Sequence, residues 1–344
     1  MPSVSIALAT FNGERYLAPQ LESLARQSQL PAELVISDDC SNDRTVEIAR
    51  SFAGNAPFPV RILCNETRLG YRDNFMRAVD HCGSDLVAYC DQDDIWEPQK
   101  LAVVETVFED PDVLLAYHNA TLVDADGQAI GRLYKGGAGV VTYPPLTRHP
   151  WLVVPGFTQV FRRDLTRFSF VHSATTDVDW PGERLAHDRW YYFLASVLGC
   201  IAFVGQPLVR YRQHDENVFG VYPDRRTQFD RLMRGERFIR TAAITAENRS
   251  NLLKQIQSLL PAEWHERSLK GIAYYDALQQ RLHDRTAVYA SPSYWARVKA
   301  LYALFRQGAY GKAYGSARFS LADLLMDTYL AVPLGPNLRR VLGG

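Results

Sequence analysis

The first hundred residues alternate short apolar runs, which are typical of strands, with segments in which apolar residues recur at helical spacing. The strand-like runs are Val4 to Ala9, Leu34 to Ser37, Val60 to Leu63 and Leu86 to Cys90. The helical spacing is set by Leu17, Leu21 and Leu24, by Val46 and Ala49, and by Phe75, Ala78 and Val79. Repeated β-α-β units with short connections predict an α/β fold in which a mostly parallel sheet carries helices on both faces.

The segment after Pro111 changes from this alternation to strands and loops. Val113 to Tyr117 predicts a strand, and Ala120 to Val123 with Ala129 to Leu133 predicts a hairpin around an Asp-Ala-Asp-Gly turn. The glycines and prolines of Tyr134 to Pro150 predict a mobile loop, which we interpret as a candidate lid over a ligand.

One uncharged stretch, Trp190 to Val209, is long enough to span a membrane. Gly199, Gly205 and Pro207 interrupt it, so we expect a buried helix followed by a core strand. From about Pro223 the chain becomes helical and richer in arginine. We therefore expect one α/β domain over 1–222, divided into halves at 1–117 and 118–222, and a helical domain over 223–344.

The charges of the chain cancel, since 38 lysines and arginines face 38 aspartates and glutamates. No global field recruits nucleic acid, which we exclude as an expected partner. The five cysteines contain no C-x-x-C pair and favour reduced thiols over disulfides or a zinc site. The amino terminus has neither a basic leader nor an apolar anchor. We expect a cytoplasmic protein.

Polar residues follow each of the first four predicted strands. They are Thr10 and Asn12, then Asp38 and Asp39, then Asn65, Arg68 and Gly70, and finally Asp91, Asp93 and Asp94. The carboxyl ends of the strands are where open α/β sheets bind ligands. The sequence therefore predicts a binding site at this edge.

The strongest chemical signal is the last of these sets, with three carboxylates within four positions after a hydrophobic strand. Clustered carboxylates repel one another, and a hard divalent cation such as Mg²⁺ or Mn²⁺ relieves this repulsion, with diphosphate oxygens completing its shell. The alternative is that Asp94 caps a helix starting near Pro98.

The second acidic set, Asp38 and Asp39, can accept hydrogen bonds from a ribose or a base. Nearby, Asn42 or Asp43 can cap the helix that begins near Thr45. No G-x-G-x-x-G follows the first strand and no P-loop exists in the chain, which argues against NAD and against P-loop ATP chemistry.

Taken in order, these segments resemble glycosyltransferase family 2, the inverting enzymes of the GT-A fold. The resemblance covers Val4 to roughly Gly220 and rests on four runs, Ala9 to Gly13, Asp38 to Thr45, Asn65 to Gly70 with Asn74, and Asp91 to Asp94. It is strongest toward the branch that contains bacterial rhamnosyltransferases and other enzymes of surface-polysaccharide assembly.

This resemblance implies a nucleotide-diphosphate sugar donor, a glycan or lipid-linked glycan acceptor and a divalent cation. It implies that Thr10, Asn12 and Glu14 line the nucleotide pocket, that Asp39 contacts the base, and that Asp91 and Asp93 serve ribose and metal. Arg68 and Arg212 are expected near the diphosphate, with His214 as a further metal ligand or donor.

The family's catalytic base aligns with Asp188, where this chain departs from the pattern by placing His187 in the position of a carboxylate. His187 is therefore a second candidate to accept a proton. Independently of the family, an attacking hydroxyl must lose its proton on the side opposite the departing diphosphate, so base and metal must face each other across the sugar. The alternative is that Asp188 caps its helix.

Two rival functions and one further partner stay open from sequence. A nucleotidyltransferase would also use a metal and a nucleotide, but it normally has a glycine-rich basic loop after its first strand. A noncatalytic sugar-nucleotide-binding partner of an assembly complex would retain the pocket. Between Asp284 and Asp323 the chain has no acidic residue and mixes basic with aromatic side chains, which fits either an anionic membrane surface at the inner face of the cytoplasmic membrane or a packed helical bundle.

Overall fold

The computed structural model describes residues 2–213, 235–310, 319 and 321–334. These residues divide into two compact units. The first contains residues 2–144, 153–169 and 186–213, and the second contains residues 145–152, 170–185 and the described residues from 235 onward. The expected domain boundary at residues 222 and 223 lies outside the described residues.

The first unit is a ten-stranded mixed sheet with helices. Its strands are β1 (Val4–Thr10), β2 (Glu33–Asp38), β3 (Val60–Cys64), β4 (Leu86–Cys90), β5 (Ile95–Trp96), β6 (Val113–Val123), β7 (Ala129–Arg132), β8 (Val140–Tyr143), β9 (Gln159–Arg162) and β10 (Cys200–Arg212). Its helices are α1 (Leu17–Ala25), α2 (Thr45–Ala53), α3 (Tyr71–Asp80), α4 (Lys100–Val107) and α5 (His187–Leu198).

The strand order is β3-β2-β1-β4-β9-β6-β10-β5, with β7 paired to β6 and β8 paired to β10. The four strands β1 to β4 are parallel, whereas β9 is antiparallel to both of its neighbours. Leu8 pairs with Cys90, and Thr10 pairs with Asp38. This register places the ends of β1, β2 and β4 at one edge, as the polar residues after them predicted.

The core of this unit lies between the sheet and its helices. Strands β2 and β4 are almost entirely buried, and on α1 the residues Leu17, Leu21 and Leu24 form the buried stripe that the helical spacing predicted. The N-cap residue of α2 is Arg44, so neither Asn42 nor Asp43 occupies the predicted cap position. Asp43 Oδ1 nevertheless accepts a hydrogen bond from Thr45 N, at the start of the helix, at 3.0 Å.

The two predictions for later segments have different outcomes. The hairpin is confirmed, since β6 and β7 are antiparallel and Gly127 takes a positive φ of 83° in the turn between them. The prediction of a loop throughout Tyr134 to Pro150 is wrong in its centre, where Val140–Tyr143 forms β8 against β10. Val140, Val141 and Thr142 are β-branched, and their strand propensity outweighs the composition of the glycine-rich stretch before them and the proline-containing stretch after them.

The uncharged stretch from residue 190 to 209 forms most of α5 and then β10, as predicted. Trp190, Phe193 and Leu194 of this helix are buried in the first unit. Within the described part of the chain, no helix combines the length and the apolar character that crossing a membrane would require.

The second unit is helical. It contains α6 (Gly235–Ile256), α7 (Ala262–Ala290), α8 (Tyr294–Arg306), α9 (Leu321–Met326), a π-helix (Asp327–Ala331) and α10 (Val332–Leu334). Two earlier segments, 145–152 and 170–185, belong to this unit because they are hydrogen-bonded to α6. The sequence analysis placed both in the first domain, within residues 118–222. Arg249 donates to the carbonyl of Pro150 at 2.6 Å, and Asn248 bonds the backbones of Thr176 and Ala174.

A buried polar network stabilises the end of this unit. Asp327 is fully buried and accepts two hydrogen bonds from Arg285, at 2.7 and 2.8 Å, and one each from Tyr289 and Tyr310, both at 2.6 Å. Both carboxylate oxygens of Asp327 are therefore paired with donors of the chain.

Two of the basic residues between Asp284 and Asp323 are not surface cations. Arg285 and Arg297 are buried, and Arg297 donates to carbonyls that include those of Ser291 and Val332. Neither cation is therefore available to a membrane surface, while Lys312 and Arg318 lie outside the described residues.

Candidate active site

Three carboxylates meet where β4 ends. One oxygen from each of Asp91, Asp93 and Asp94 lies within 4.8 Å of the others. The chain turns sharply here because β4 is buried throughout and β5, beginning at Ile95, pairs with β10 on the far side of the sheet. The predicted pair Asp91 and Asp93 is thus brought together, and Asp94 joins it.

Asp94 is the buried member of this cluster, with 1% of its surface exposed. Its Oδ1 accepts a hydrogen bond from Arg212 N at 3.2 Å, while its Oδ2 is buried without a hydrogen-bond partner among the described residues. Burial, with the charges of Asp93 and Asp91, raises the pKa of Asp94 well above its ordinary range. The alternative that Asp94 caps α4 is wrong, because its carboxylate is directed to β10.

The donor set of this cluster fits a hard divalent cation. Carboxylate oxygens are the ligands that Mg²⁺ and Mn²⁺ prefer, and the orphaned oxygen of Asp94 is the kind of buried polar atom that such an ion would satisfy. The family resemblance assigned ribose and metal to Asp91 and Asp93 and left Asp94 as their neighbour. The position of Asp94 directly after Asp93 was nevertheless a sufficient signal.

The charges of this edge are coupled to one another. Burial, together with Asp93 and Asp188, raises the pKa of Asp91 to about 8, and Lys100 opposes that rise. The charge of Asp188 thus acts on Asp91, which couples the candidate base electrostatically to the acidic cluster.

Asp188 lies in the first turn of α5 and is partly exposed. Its Oδ1 accepts from Arg189 N at 2.8 Å, and the N–H of Gly156 donates to the same carboxylate. The helix-cap alternative is wrong, because the N-cap residue of α5 is Ala186 and no side chain caps this helix. Burial nevertheless raises the pKa of Asp188, which makes the carboxylate a stronger proton acceptor than an ordinary aspartate.

His187, the second candidate base, is 5% exposed and surrounded by aromatic rings. Its imidazole stacks on Phe75 at 4.0 Å between ring centroids and meets Tyr89 edge-on at 4.7 Å. The hydroxyl of Tyr89 also donates to the carbonyl of His187 at 3.2 Å. These contacts give His187 a packing function, and its part in proton transfer stays a prediction.

The loop after β1 is bonded to the loop after β2. Asn12, with a positive φ of 47°, accepts from Asn42 N at 3.0 Å through Oδ1, and Glu14 accepts from Arg44 N at 3.0 Å. The hydroxyl of Thr10 is buried and donates to Asp38 at 2.9 Å. The side chains of Asn12 and Glu14 thus lie at the predicted edge, whereas that of Thr10 is directed inward.

Asp39 is 2% exposed and organises the loop after β3. Its carboxylate accepts from Asn65 Nδ2, from Leu69 N and from Gly70 N at 2.6 to 3.0 Å. The guanidinium of Arg68 lies 4.0 Å from Asp39 and 3.8 Å above the centre of the Phe11 ring. Asp38, the other acid predicted to bind a ribose or a base, accepts hydrogen bonds from the N–H of Ser41 and from the hydroxyl of Thr10. These bonds give Asp38 a structural role.

Two residues of this edge were missed by sequence reasoning. Gln92 accepts from Phe11 N at 2.9 Å and donates to Phe11 O at 3.0 Å, and it lies so close to Gly13 that a Cβ there would be 2.3 Å from the Gln92 amide oxygen. Lys100 is fully buried at the start of α4. An amide between the two carboxylates predicted to bind ribose and metal was a readable signal, whereas nothing in the spacing singles out Lys100.

The last predicted residues lie at the end of β10. Arg212 donates from Nε to the carbonyl of Asp93 at 3.2 Å and from Nη1 to the carbonyl of Ala125 at 3.0 Å, which ties the acidic turn to the β6–β7 hairpin. His214 lies outside the described residues, so its predicted contact with the metal stays a prediction.

Comparisons with known proteins agree with this geometry. Residues 5–174 match the family model described as Glycosyl transferase family 2. The dTDP-rhamnosyl transferase RfbG of Shigella flexneri is 28% identical over 240 residues, which are 65% of this chain and 78% of that protein. The uncharacterised protein Rv1520 of Mycobacterium tuberculosis is 26% identical over 228 residues, and the match spans 62% of its length.

Among solved structures, residues 1–349 of TarS from S. aureus, in complex with UDP, superpose with a TM-score of 0.50 at 17% identity. The match covers 90% of this chain and 93% of that one. At this identity the likeness concerns the fold, which confirms the predicted GT-A architecture.

Proposed function

We propose, from the premise that its residues 5–174 make this chain a member of glycosyltransferase family 2, that it is a metal-dependent inverting glycosyltransferase. It transfers a sugar from a nucleoside-diphosphate donor to a hydroxyl of a glycan or lipid-linked glycan in bacterial surface-polysaccharide assembly. The observation that carries this proposal is the cluster of three carboxylates within 4.8 Å, one of which has an orphaned buried oxygen.

The donor side of the reaction is assigned to the edge formed by β1, β2 and β4. Asp91, Asp93 and Asp94 would hold Mg²⁺ or Mn²⁺, which when bound neutralises charge on the departing diphosphate. Asn12, Glu14 and Asp39 would bind the nucleoside, and Asp39 keeps acceptor capacity because a carboxylate offers about four lone-pair sites. Arg68, Arg212 and His214 would supply cations near the diphosphate.

The acceptor side is assigned to Asp188. Its carboxylate removes the proton of the attacking hydroxyl as the new bond to the anomeric carbon forms, and the raised pKa suits it to this task. Attack from the face opposite the leaving group inverts the anomeric configuration. The N–H groups of Gly156 and Arg189 hold the carboxylate in one orientation.

The sugar we propose is a deoxyhexose, rhamnose, because the RfbG relative is described as a dTDP-rhamnosyl transferase. The test incubates the protein with Mn²⁺ and dTDP-rhamnose, UDP-GlcNAc or GDP-mannose, with water in place of the acceptor hydroxyl, and follows by chromatography the nucleotide that slow donor hydrolysis releases. We expect dTDP from dTDP-rhamnose, at a rate that falls about 10²- to 10⁴-fold in Asp188→Asn. Asp164→Asn, which removes an exposed acid paired with Arg167, is the matched control and should keep full activity.

The outcomes separate the rival functions. Release of pyrophosphate instead of a nucleoside diphosphate would establish a nucleotidyltransferase. Donor binding, detected as a rise in melting temperature, with no turnover in either wild type or Asp188→Asn would establish a noncatalytic partner.

We also propose that α8 brings the enzyme to an anionic membrane surface where a lipid-linked acceptor lies. Trp295 is 75% exposed and Tyr302 is 61% exposed, and Lys299 and Arg306 are exposed on the same helix. Aromatic and basic side chains on one helix are typical of interfacial binding. Cosedimentation with phosphatidylglycerol vesicles, but not with phosphatidylcholine vesicles, is expected, and Trp295→Ala should weaken it. Equal recovery with both lipids would contradict this proposal.

A further inference from the structure

Lys100 is a fully buried cation whose charge acts on Asp91 and Asp94 and whose ammonium is hydrogen-bonded to the turn Gly156–Thr158. Its ammonium donates to the carbonyl of Phe157 at 3.0 Å and lies 3.4 Å from the centre of the Trp96 ring. A lysine is almost never buried completely unless its charge is compensated. The groups that compensate it here therefore indicate what it does.

One side of Lys100 faces the acidic cluster. Its charge acts on Asp91 and Asp94, lowering the pKa of each against the effect of burial. In return, their charges oppose the desolvation that lowers the pKa of Lys100 to about 7. Lys100 thus supplies positive charge to two carboxylates that otherwise face mainly other carboxylates.

The other side of Lys100 holds a turn of the acceptor side. Phe157, whose carbonyl accepts its hydrogen bond, is the middle residue of the 3₁₀ turn Gly156–Thr158. The N–H of Gly156, the adjoining residue, donates to the carboxylate of Asp188. The Lys100 hydrogen bond is therefore one residue away from the group that orients the candidate base.

The approach of this turn to the base is close. A Cβ on Gly156 would lie 2.9 Å from His187 Nε2 and 3.4 Å from Asp188 Cβ, so the backbone has little freedom to shift toward α5. The hydrogen bond from Lys100 to the carbonyl of Phe157 is a second restraint on the same turn.

We propose that Lys100 is a positioning residue that couples the two halves of the active site, holding the Gly156–Thr158 turn, and through it Asp188, at a fixed place relative to the acidic cluster. This role rests on the proposed function, since it gives Asp188 and the cluster their parts in transfer. Lys100 itself touches neither substrate nor leaving group in this proposal.

The test compares Lys100→Met, which keeps the length of the side chain but removes its charge and donors, with Gly156→Ala. At saturating Mn²⁺, we expect kcat to fall about 10- to 100-fold in each variant, because a displacement of about 1 Å at the reacting centre can cost a factor near 10². The KM for dTDP-rhamnose should stay within about threefold, since donor binding does not use the turn. Lys254→Met, at an exposed lysine paired with Asp276, is the control and should match wild type.

The double variant separates coupling from two unrelated defects. If both residues act through one turn, Lys100→Met with Gly156→Ala should lose no more kcat than the worse single variant. Full multiplication of the two losses, or a wild-type kcat in Lys100→Met, would overturn the proposal. If Lys100→Met does not fold, Gly156→Ala decides, and an unchanged kcat there overturns it as well. If the wild type turns over no donor, both the proposed function and this role of Lys100 are wrong. If the wild type turns over donor normally and Lys100→Met is unaffected, only the role of Lys100 is wrong.

Discussion

Asp94 and Asp327 are both buried, at 1% and 0% exposure, yet their surroundings are opposite. Asp327, in the helical unit, receives four hydrogen bonds from Arg285, Tyr289 and Tyr310. Asp94, in the sheet unit, receives one from a backbone N–H and faces two more carboxylates. A buried carboxylate paired with donors of its own chain stabilises the fold, whereas Asp94, whose like-charged neighbours are offset only in part by Lys100, is suited to bind a cation.

The largest effect that would test this comparison is on activity at the acidic cluster. Asp93→Asn should reduce transfer about 10³-fold or more, because a bound cation contributes several kcal/mol of transition-state stabilisation. The melting temperature without metal should not fall. A nucleotide-release assay with Mn²⁺ measures the loss, and undiminished turnover with metal still required would remove the central role of this residue.

The matching change in the helical unit should act on stability. Asp327→Asn should lower the free energy of unfolding by about 3–5 kcal/mol, because it leaves Arg285 buried with its main counter-charge removed. Urea denaturation followed by circular dichroism measures this change. Glu266→Gln, which breaks an exposed pair with Lys270, is the control and should cost about 0–1 kcal/mol. Equal losses in the two variants would contradict the structural role of Asp327.

Asp94→Asn should have the opposite sign on stability. Removing a desolvated charge with an unpaired oxygen, and its repulsion with Asp91 and Asp93, should stabilise the metal-free protein by about 1 kcal/mol. The rise in melting temperature that Mn²⁺ produces in wild type should shrink. Differential scanning fluorimetry with and without Mn²⁺ gives both values, and a strongly destabilised metal-free variant would show that Asp94 resembles Asp327 after all.

A further expected effect is a pH dependence carried by Asp91. The folded protein keeps a proton on Asp91 up to about pH 8, while the unfolded chain releases it near an ordinary pKa of about 3.9. The contribution of this group to stability is therefore greatest at low pH and is lost as pH rises through about 8. Mn²⁺ must displace that proton in order to bind. The stabilisation of the folded protein by Mn²⁺ should therefore grow as pH rises from about 6.5 to about 8.5. Asp91→Asn should flatten both trends in scanning fluorimetry, and identical slopes in the two proteins would exclude Asp91 as their source.

Much of the fold could be predicted from local sequence. The four parallel strands, the β6–β7 hairpin and the sequence α5 then β10 follow from periodicity and turn chemistry, which act over a few residues. The strand β8 was missed because its pairing with β10 is set by tertiary contact, and the surrounding glycines and prolines favoured a loop.

The candidate site shows the same limit. The three clustered carboxylates could be predicted because they lie within four positions of the chain. The inward direction of Thr10 and the burial of Lys100 could not, since both depend on partners distant in sequence, Asp38 and Phe157. Residue type indicates what a side chain can do, but only the packing of remote segments decides which partner it finds.

The amide of Gln92 imitates a peptide group. After Cys90 the chain leaves the ladder with β1, yet Gln92 still offers Phe11 one acceptor and one donor, as the next residue of a strand would. Glutamate in that place would present acceptors alone and could not satisfy the carbonyl of Phe11. Gln92, which separates Asp91 from Asp93, thus continues the hydrogen bonding of the sheet through its side chain. Replacing this turn with one that has a different residue at this position would weaken the hold on β1 before it altered any ligand contact.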